Sequence, residues 1–224
     1  MRKKTLTLGL VLTLVVGVGA AALAYRLFFM RLVRVPTGAM MNTILPGDRL
    51  VTNRSFGAIK RGWIVVFKYP GDSRNYIARV IGLPGETVEV RDRSVYVNGH
   101  MLEEQRVLVN PDDLGEADVL EEVSIEGAGP YRVFYTTRKD NEISPVPSDM
   151  DSANLATHSP FEIPLNSFFM LGDNRDNSYD SRFRGAVPRE LIWGTTSVVY
   201  FSAFSNRKSH EERVRWNRMF SKVK

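Results

Sequence analysis

The sequence predicts a mostly β domain that follows one N-terminal membrane-spanning helix. Two observations support this fold class. One is an uncharged, largely apolar run from Thr5 to Tyr25, and the other is a series of short runs from Leu50 onward, rich in β-branched and aromatic residues and ended by Gly, Pro, Asp or Asn. The 224 residues are enough for one main globular unit. We therefore expect one β-rich domain with an inserted peripheral lobe.

The N-terminal helix is predicted to be an anchor over residues 5–30, after a short cytoplasmic tail of residues 1–4. At about 1.5 Å per residue, the uncharged run can cross a hydrocarbon core of about 30 Å. A cleavable signal peptide is the alternative, since Ala22-Leu-Ala24 fits a small-x-small cleavage site. The run exceeds the roughly 7 to 15 apolar residues of such peptides and continues to Met30, which favours the anchor. Basic residues on both sides leave its orientation open.

Behind the anchor, the strand-like runs fall into two blocks. Residues 86–99 alternate apolar and polar side chains on both sides of Asp92, which predicts a hairpin with one buried face. The first block ends there, and the second block closes the domain. The predicted strands are 50–56, 63–69, 76–81, 87–90, 94–97, 131–136, 168–171 and 195–201.

Two segments are expected to lie outside the main sheet. Residues 101–165 hold many carboxylates, Glu104 among them, and then several prolines, which predicts an inserted lobe at the surface. The carboxylates lack the spacing of a calcium-binding loop, so a solvated acidic face is the favoured interpretation. The basic C-terminal tail, residues 205–224, is expected either to form an amphipathic helix on a membrane surface or to cover an edge of the domain.

Composition excludes several classes of function. The chain has no cysteine, which removes disulfides, thiol catalysis and cysteine metal sites. Its three histidines lie far apart and in no metal-ligand spacing, so we expect neither a metal nor another cofactor. The net charge of +5 is not gathered into one basic stripe, and we expect no nucleic acid partner.

Three longer strings carry the functional signal. They are Val35-Pro-Thr-Gly-Ala-Met-Met-Asn-Thr-Ile-Leu-Pro-Gly-Asp48, Asn75-Tyr-Ile-Ala-Arg-Val-Ile-Gly-Leu-Pro-Gly-Glu86 and Leu171-Gly-Asp-Asn-Arg-Asp-Asn-Ser-Tyr-Asp-Ser-Arg182, the last followed by Gly185-Ala-Val-Pro188. In order and spacing these strings resemble the type I bacterial signal peptidases, the membrane-anchored serine/lysine proteases of the leader peptidase family. The resemblance runs from the anchor to about Phe204. It implies a signal-peptidase-like catalytic domain over residues 31–204, with the form of a β-barrel or β-sandwich.

The resemblance implies a catalytic site at which two positions depart from the family pattern. Ala39 stands where the family has its nucleophilic serine, and Ala78 stands where it has its general-base lysine. Thr37 matches a hydroxyl residue that completes the oxyanion hole with the backbone N–H of residue 39. Ser178 matches the hydroxyl that orients the lysine amine.

Further positions match residues that surround this site in the family. Asp180 and Arg182 match a pair that supports the site structurally. Met40, Tyr76 and Ile77 match the lining of shallow apolar pockets, which accept small side chains at the cleavage site of the substrate.

The two alanines predict a protein that binds its substrate without cutting it. A serine nucleophile needs a base, and a lysine can be that base only when apolar surroundings lower its pKa from about 10.4 towards 7 or 8. With Ala39 and Ala78, both groups are missing. Deliberate replacement in an active enzyme explains the pair, and so does natural loss in a homologue. Alanine at both positions, within strings that are otherwise intact, favours replacement.

The resemblance also implies a function and a location. A signal peptidase I removes N-terminal signal peptides from exported preproteins after an Ala-x-Ala site, with its domain on the outer, periplasmic face of the bacterial cytoplasmic membrane. The expected partners are signal peptides, the lipid bilayer and the protein-export machinery. The alternative is a non-catalytic, membrane-tethered homologue that binds signal peptides or a translocation partner. Self-cleaving serine/lysine repressors would need a DNA-binding helix-turn-helix where the membrane span lies.

Overall fold

The computed structural model describes residues 2–109, 122–127, 129–136, 159–205 and 212–223. The chain opens with helix α1, Arg2–Phe29, and then enters a series of strands. Within these described ranges, no helix is both long enough and apolar enough to span a membrane. The strands confirm the prediction of a mostly β protein.

The described strands include every run that the sequence predicted, with shifted ends. A short helix, α2, covers Ser181–Arg184. In chain order, the strands are β1 Met30–Arg34, β2 Asp48–Asn53, β3 Ile64–Phe67, β4 Tyr76–Gly82, β5 Thr87–Arg91, β6 Ser94–Val97, β7 His100–Met101, β8 Gln105–Val109, β9 Glu122–Glu126, β10 Arg132–Thr136, β11 Phe161–Glu162, β12 Ser167–Leu171, β13 Val187–Pro188, β14 Ile192–Ser205, β15 Glu212–Val214 and β16 Ser221–Lys222.

One large antiparallel sheet organises the molecule. Its described strands follow the order β1-β2-β14-β3-β4-β12-β13, and β15 and β16 also pair with β14. The long strand β14 contacts β3 near its start and β2 along most of its length, with register shifts between Thr196 and Val198 and between Val199 and Phe201. Such bulges bend a strand and increase its twist. These bulges allow the large sheet to curl. The strand β1 forms one end of its strand order.

The predicted hairpin is confirmed by β5 and β6. Val88 pairs with Val97 and Val90 with Val95, so one face of the hairpin carries valines on both strands. Val88 and Val95 are fully buried on that face. Asp92 and Arg93 in the turn have φ angles of 49° and 58°, the left-handed conformation that a two-residue type I′ turn requires.

Two strands from the expected surface lobe lie in the core instead. β8 and β10 pair in parallel, and Val107 and Phe134 pack with Met41 and Leu45 of the loop after β1. The expectation of a solvated surface is therefore wrong for these strands, because their apolar side chains support that loop. They form a separate three-stranded sheet with β9. Within the lobe, residues 110–121, 128 and 137–158 lie outside the described residues.

The described part of the basic tail covers the edge of the domain. β15 and β16 both pair with β14, and a 3-10 turn at Trp216–Arg218 lies between them. The N–H of Arg215 donates to the carbonyl of Ser202, and the N–H of Val223 donates to that of Ser197. The edge-covering alternative is confirmed for residues 212–223, and the amphipathic helix is wrong for them, because their backbone groups are used in pairing with β14.

Candidate functional site

A largely apolar cleft of about 940 Å³ lies beside β1, the loop that follows it and the start of β4. Five residues that the sequence singled out line this cleft together: Thr37, Ala39, Met40, Tyr76 and Ile77. Leu191 and Trp193, at the start of β14, complete the apolar part of the wall. The fold therefore brings the first two sequence strings to one cavity.

Two strand edges without strand partners border the cleft. Among the described strands, β1 pairs with β2 alone and leaves its other edge open. In β4, the residues from Tyr76 to Ala78 pair with β3, whereas the pairing with β12 begins only at Arg79. Backbone N–H and C=O groups along such edges are available to an added strand. An extended peptide in the cleft could therefore form hydrogen bonds with β1 and with the first half of β4.

The loop that carries Ala39 is held by its own buried side chains. Met40 and Ile44 are buried, and the N–H of Ile44 donates to the carbonyl of Met40 at 2.7 Å. The N–H of Met41 donates to the carbonyl of Gly38 at 3.0 Å. Ala39 is only half-buried and lines the cleft. The burial of its neighbour Met40 therefore leaves residue 39 facing the cleft.

A buried ion pair ties β4 to the loop after β12. Arg79 donates from Nε and Nη2 to the two carboxylate oxygens of Asp173, at 2.8 and 2.6 Å. The hydroxyl of Thr43 donates to the same carboxylate at 2.6 Å. Two-pronged pairs of this kind are strong and directional. The strand that contains Ala78 is thereby connected to the loop that contains Ala39.

Asn174 fixes the peptide group on which the oxyanion interpretation depends. Its backbone N–H donates to the carbonyl of Ala39 at 3.1 Å, and its side-chain Nδ2 donates to the carbonyl of Gly38 at 3.0 Å. The carbonyl of Gly38 and the N–H of Ala39 belong to one planar trans peptide and point in opposite directions. Holding this carbonyl therefore also sets the direction of the N–H of residue 39.

Ser178 lies beside residue 39 across Gly172. A Cβ atom built on Gly172 would lie 2.2 Å from the Oγ of Ser178 and 2.6 Å from the carbonyl oxygen of Ala39. These atoms therefore approach the same point above Gly172, and only a glycine leaves room for both. Ser178 is buried, so its hydroxyl belongs to the interior of the site.

Ala78 lies behind the cleft wall, in an apolar core. It is 4% exposed and belongs to a buried cluster with Phe67, Tyr69 and Met170. Burial raises the pKa of the Tyr69 phenol, and the charge of Asp180 adds to this effect. Burial has this effect because an apolar core disfavours the charged form of any titratable group. The same penalty on charge would lower the pKa of a lysine at position 78.

The predicted structural pair is formed and holds the loop that carries Ser178. Arg182 donates from Nε and Nη2 to the two carboxylate oxygens of Asp180, at 2.9 Å each. The Nη2 group also donates to the carbonyls of Arg175 and Ser178. Asp180 in turn accepts from the N–H of Gly172 at 2.9 Å. The pair thus connects both ends of the loop.

Glu104 is a site-supporting residue that the sequence interpretation missed. The acidic composition of its segment predicts a solvated face, but Glu104 is buried and forms an ion pair with the buried guanidinium of Arg175. Burial alone would lower the pKa of Arg175, and the Glu104 carboxylate outweighs it, so the pKa is raised well above the ordinary value. Arg175 also donates from Nε to the carbonyl of Gly172 at 3.2 Å. Glu104 therefore supports the Gly172 loop through Arg175.

The rim of the cleft is basic, with five lining cations beside the single carboxylate of Glu190 among its described residues. Arg31, Arg34, Arg54 and Lys68 line it, and within the described part of the chain none of these four has a carboxylate partner. A fifth lining cation, Arg74, forms an ion pair with Asp72, which also accepts from the hydroxyl of Tyr76. Hydrogen bonds from Arg74, and then from Tyr76, hold the pKa of Asp72 well below its usual range. No group of three or more metal-ligating side chains occurs among the residues described.

Strand edges along an apolar cleft, next to a tightly held loop, are the features of a site that receives a peptide in extended form. The family model described as signal peptidase, peptidase S26, matches residues 7–201. This chain therefore belongs to the signal peptidase family, peptidase S26.

Two bacterial relatives in particular agree with this membership. The chain is 31% identical over 215 residues to signal peptidase I of Pseudomonas fluorescens, which covers 84% of this chain and 70% of the relative. It is 30% identical over 207 residues to signal peptidase I of Pseudomonas aeruginosa, covering 80% and 68%. The crystal structure of a signal peptidase I from Enterococcus faecalis is 27% identical, covers 63% of this chain and 98% of that chain, and has a TM-score of 0.37.

Proposed function

We propose that this protein binds the signal peptides of exported preproteins in the cleft, as an added strand, and does not cut them. The observation that carries this proposal is the position of Ala39 on a cleft bordered by the open edges of β1 and β4. Main-chain hydrogen bonds to such edges give affinity, and pockets for alternate side chains give specificity. Membership of the signal peptidase family supports the same substrate.

The proposed catalytic geometry is that of a serine/lysine dyad from which both side chains have been removed. A serine at position 39 would extend from the cleft wall, and a lysine at position 78 would lie in apolar surroundings that favour its neutral form. Thr37 and the N–H of residue 39 would stabilise the developing oxyanion. Ser178 would orient the lysine amine. With alanine at both positions, the chain has neither nucleophile nor base, so peptide hydrolysis is lost.

The proposed specificity is for small side chains at the two positions that face the protein. Met40 and Ile77 belong to one apolar cluster, and Met40 is fully buried. Tyr76 is held by hydrogen bonds to Asp72 and Arg184. Walls fixed in this way leave shallow pockets that cannot widen for a large side chain. Such pockets would favour a small-x-small sequence in the peptide.

The proposed setting is a bacterial cytoplasmic membrane. The run from Thr5 to Tyr25 would anchor the chain by a single span, with the β domain on the outer face and the bilayer and export machinery as partners. α1 runs directly into β1, so the anchor would deliver a signal peptide close to the cleft.

A direct binding measurement tests this proposal. A fluorescent peptide that contains an Ala-x-Ala site is titrated with the full chain in detergent, and mass spectrometry monitors the peptide for cleavage. We expect saturable binding of an intact peptide, and weaker binding when both alanines of the peptide are replaced by phenylalanine. Equal affinity for the two peptides, or a cleavage product from the chain as written, would contradict the proposal.

A further inference from the structure

The C-terminal segment, residues 212–223, makes specific contacts with the loop that precedes β2. The segment is paired to β14, but two of its arginine side chains reach past that strand. Arg218 donates from Nη2 to the carbonyl of Thr43 at 3.0 Å, and Arg215 donates from Nη1 to the carbonyl of Pro46 at 3.1 Å. These carbonyls belong to the same loop that carries Ala39 further upstream. The contacts of both arginines therefore extend beyond the edge strand that the segment covers.

Asp48 is the centre of this arrangement. It is completely buried, and its Oδ2 accepts from Nη2 of Arg218 at 2.7 Å and from the N–H of Leu45 at 2.9 Å. Its Oδ1 accepts from the hydroxyl of Ser202 at 2.5 Å. A buried carboxylate is costly unless its oxygens are paired. Arg218 supplies the principal positive charge to this carboxylate. The carboxylate that Arg218 holds in place also accepts the N–H of Leu45 and so stabilises the turn there.

The opposite side of the loop is attached to the site itself. The hydroxyl of Thr43 donates to Asp173, the carboxylate that also pairs with Arg79 beside position 78. Thr43 is thus held by Arg218 through its carbonyl and by Asp173 through its side chain. A continuous set of contacts therefore runs from the C-terminal segment to both positions of the proposed dyad.

We propose that the C-terminal segment is a positioning element for residue 39, with Arg218 and Arg215 as its positioning residues. This inference rests on the function proposed above, because it concerns the same cleft and the same loop. Covering the edge of β14 requires backbone pairing alone. The arginine contacts to loop carbonyls and to Asp48 are additional, and their effect is to hold the loop that presents residue 39 to the cleft.

Hydrogen exchange on the chain as written tests the proposal without catalysis. The amides of Met41, Ile44 and Leu45 are hydrogen-bonded within the loop, to Gly38, Met40 and Asp48. In Arg218→Met, we expect these amides to exchange about tenfold faster or more, while amides in β3 and β4 keep their rates. Arg218→Lys should restore part of the protection. Lys222→Met is the matched control, because Lys222 is an exposed cation on the same segment, and it should leave the loop unchanged.

Unchanged loop exchange in both Arg218 variants would overturn the proposal, and so would an equal acceleration throughout the large sheet. The second result would mean that Arg218 supports overall stability alone. If Arg218→Met does not fold, the comparison of Arg218→Lys with Lys222→Met decides the same question.

Activity supplies a second and independent test, in the doubly substituted form Ala39→Ser, Ala78→Lys. We expect Arg218→Met in that form to lower kcat by about tenfold to a hundredfold with KM nearly unchanged, since small displacements of a reacting group have effects of this size. A variant with a lower Tm but an unchanged kcat would contradict positioning. An inert parent form would count against the proposed function, and the exchange experiment would still decide the role of Arg218.

Discussion

At the scale of single residues, the site depends on one position that has no side chain. Gly172 leaves the space in which the hydroxyl of Ser178 and the carbonyl of Ala39 approach each other. Its N–H donates to Asp180, and its carbonyl accepts from Arg175. Both backbone groups are therefore occupied, and the residue cannot move to accommodate a larger side chain.

We expect Gly172→Ala to disrupt peptide binding and to reduce stability. The new Cβ would lie far inside contact distance of Ser178 and Ala39, and overpacking of this kind costs about 1 to 3 kcal/mol in the free energy of unfolding. The measurements are urea unfolding and titration with the Ala-x-Ala peptide. Gly57→Ala is the control, since nothing lies within 4 Å of a Cβ at that position. Equal behaviour of the two variants would show that the site tolerates the displacement.

Which single residues belong to the site could be predicted only in part. The motif strings identified five of the residues that line the cleft, because local spacing places them on one loop and one strand end. Arg79 carried a further signal, since a lone charge in an apolar strand run needs a buried partner. That partner, Asp173, lies 94 residues further along the chain, and nothing local connects the two.

At the scale of elements, the hairpin was predictable and the inserted lobe was not. Alternation on both sides of Asp92 is a local pattern, and the turn geometry confirms it. The acidic composition of residues 101–165 suggested a solvated surface, yet β8 and β10 pack beneath the loop after β1. Glu104 is buried because Arg175, 71 residues away, neutralises it. An average over the composition of a segment cannot single out one buried carboxylate such as Glu104.

We expect Glu104→Gln to destabilise the protein by about 3 to 5 kcal/mol, because it leaves the guanidinium of Arg175 buried without its counter-charge. The same change should weaken peptide binding, since Arg175 holds the carbonyl of Gly172. Glu103→Gln, at the exposed neighbouring position, provides the comparison. Coinciding unfolding curves for the two variants would show that Glu104 does not stabilise the protein, and that the lobe does not support the site through it.

At the scale of the whole molecule, the curled sheet gathers cations at one end of the cleft. Arg31 and Arg54 lie near the paired ends of β1 and β2, where Met30 is opposite Asn53. Lys68 and Arg74 lie just beyond the paired ends of β3 and β4, where Phe67 is opposite Tyr76. All four line the cleft. Arg74 is paired with Asp72, and Glu190 also lines the cleft, so the excess positive charge at that end comes from Arg31, Arg54 and Lys68. This excess favours peptides with carboxylates near the cleavage site.

We therefore expect an Ala-x-Ala peptide flanked by aspartates to bind more tightly than one flanked by lysines at low salt. The difference should almost vanish near 1 M salt, where the screening length falls to about 3 Å. Arg54→Glu combined with Lys68→Glu should reverse the preference. Lys60→Glu, an exposed change outside the cleft, should not affect it. If the preference between the two peptides changes neither with salt nor with charge reversal, the cations that line the cleft do not contribute to peptide binding.

The assignment of residues 39 and 78 as the catalytic positions is tested by cleavage of a preprotein, with the chain as written and with the form that carries Ala39→Ser and Ala78→Lys. We predict that the chain as written leaves the preprotein intact. The doubly substituted form should release the signal peptide after its small-x-small site, with a rate that rises as the pH approaches the lowered pKa of the new lysine. A doubly substituted form that is folded, binds the preprotein and still does not cut it would contradict the assignment of residues 39 and 78 as the catalytic positions.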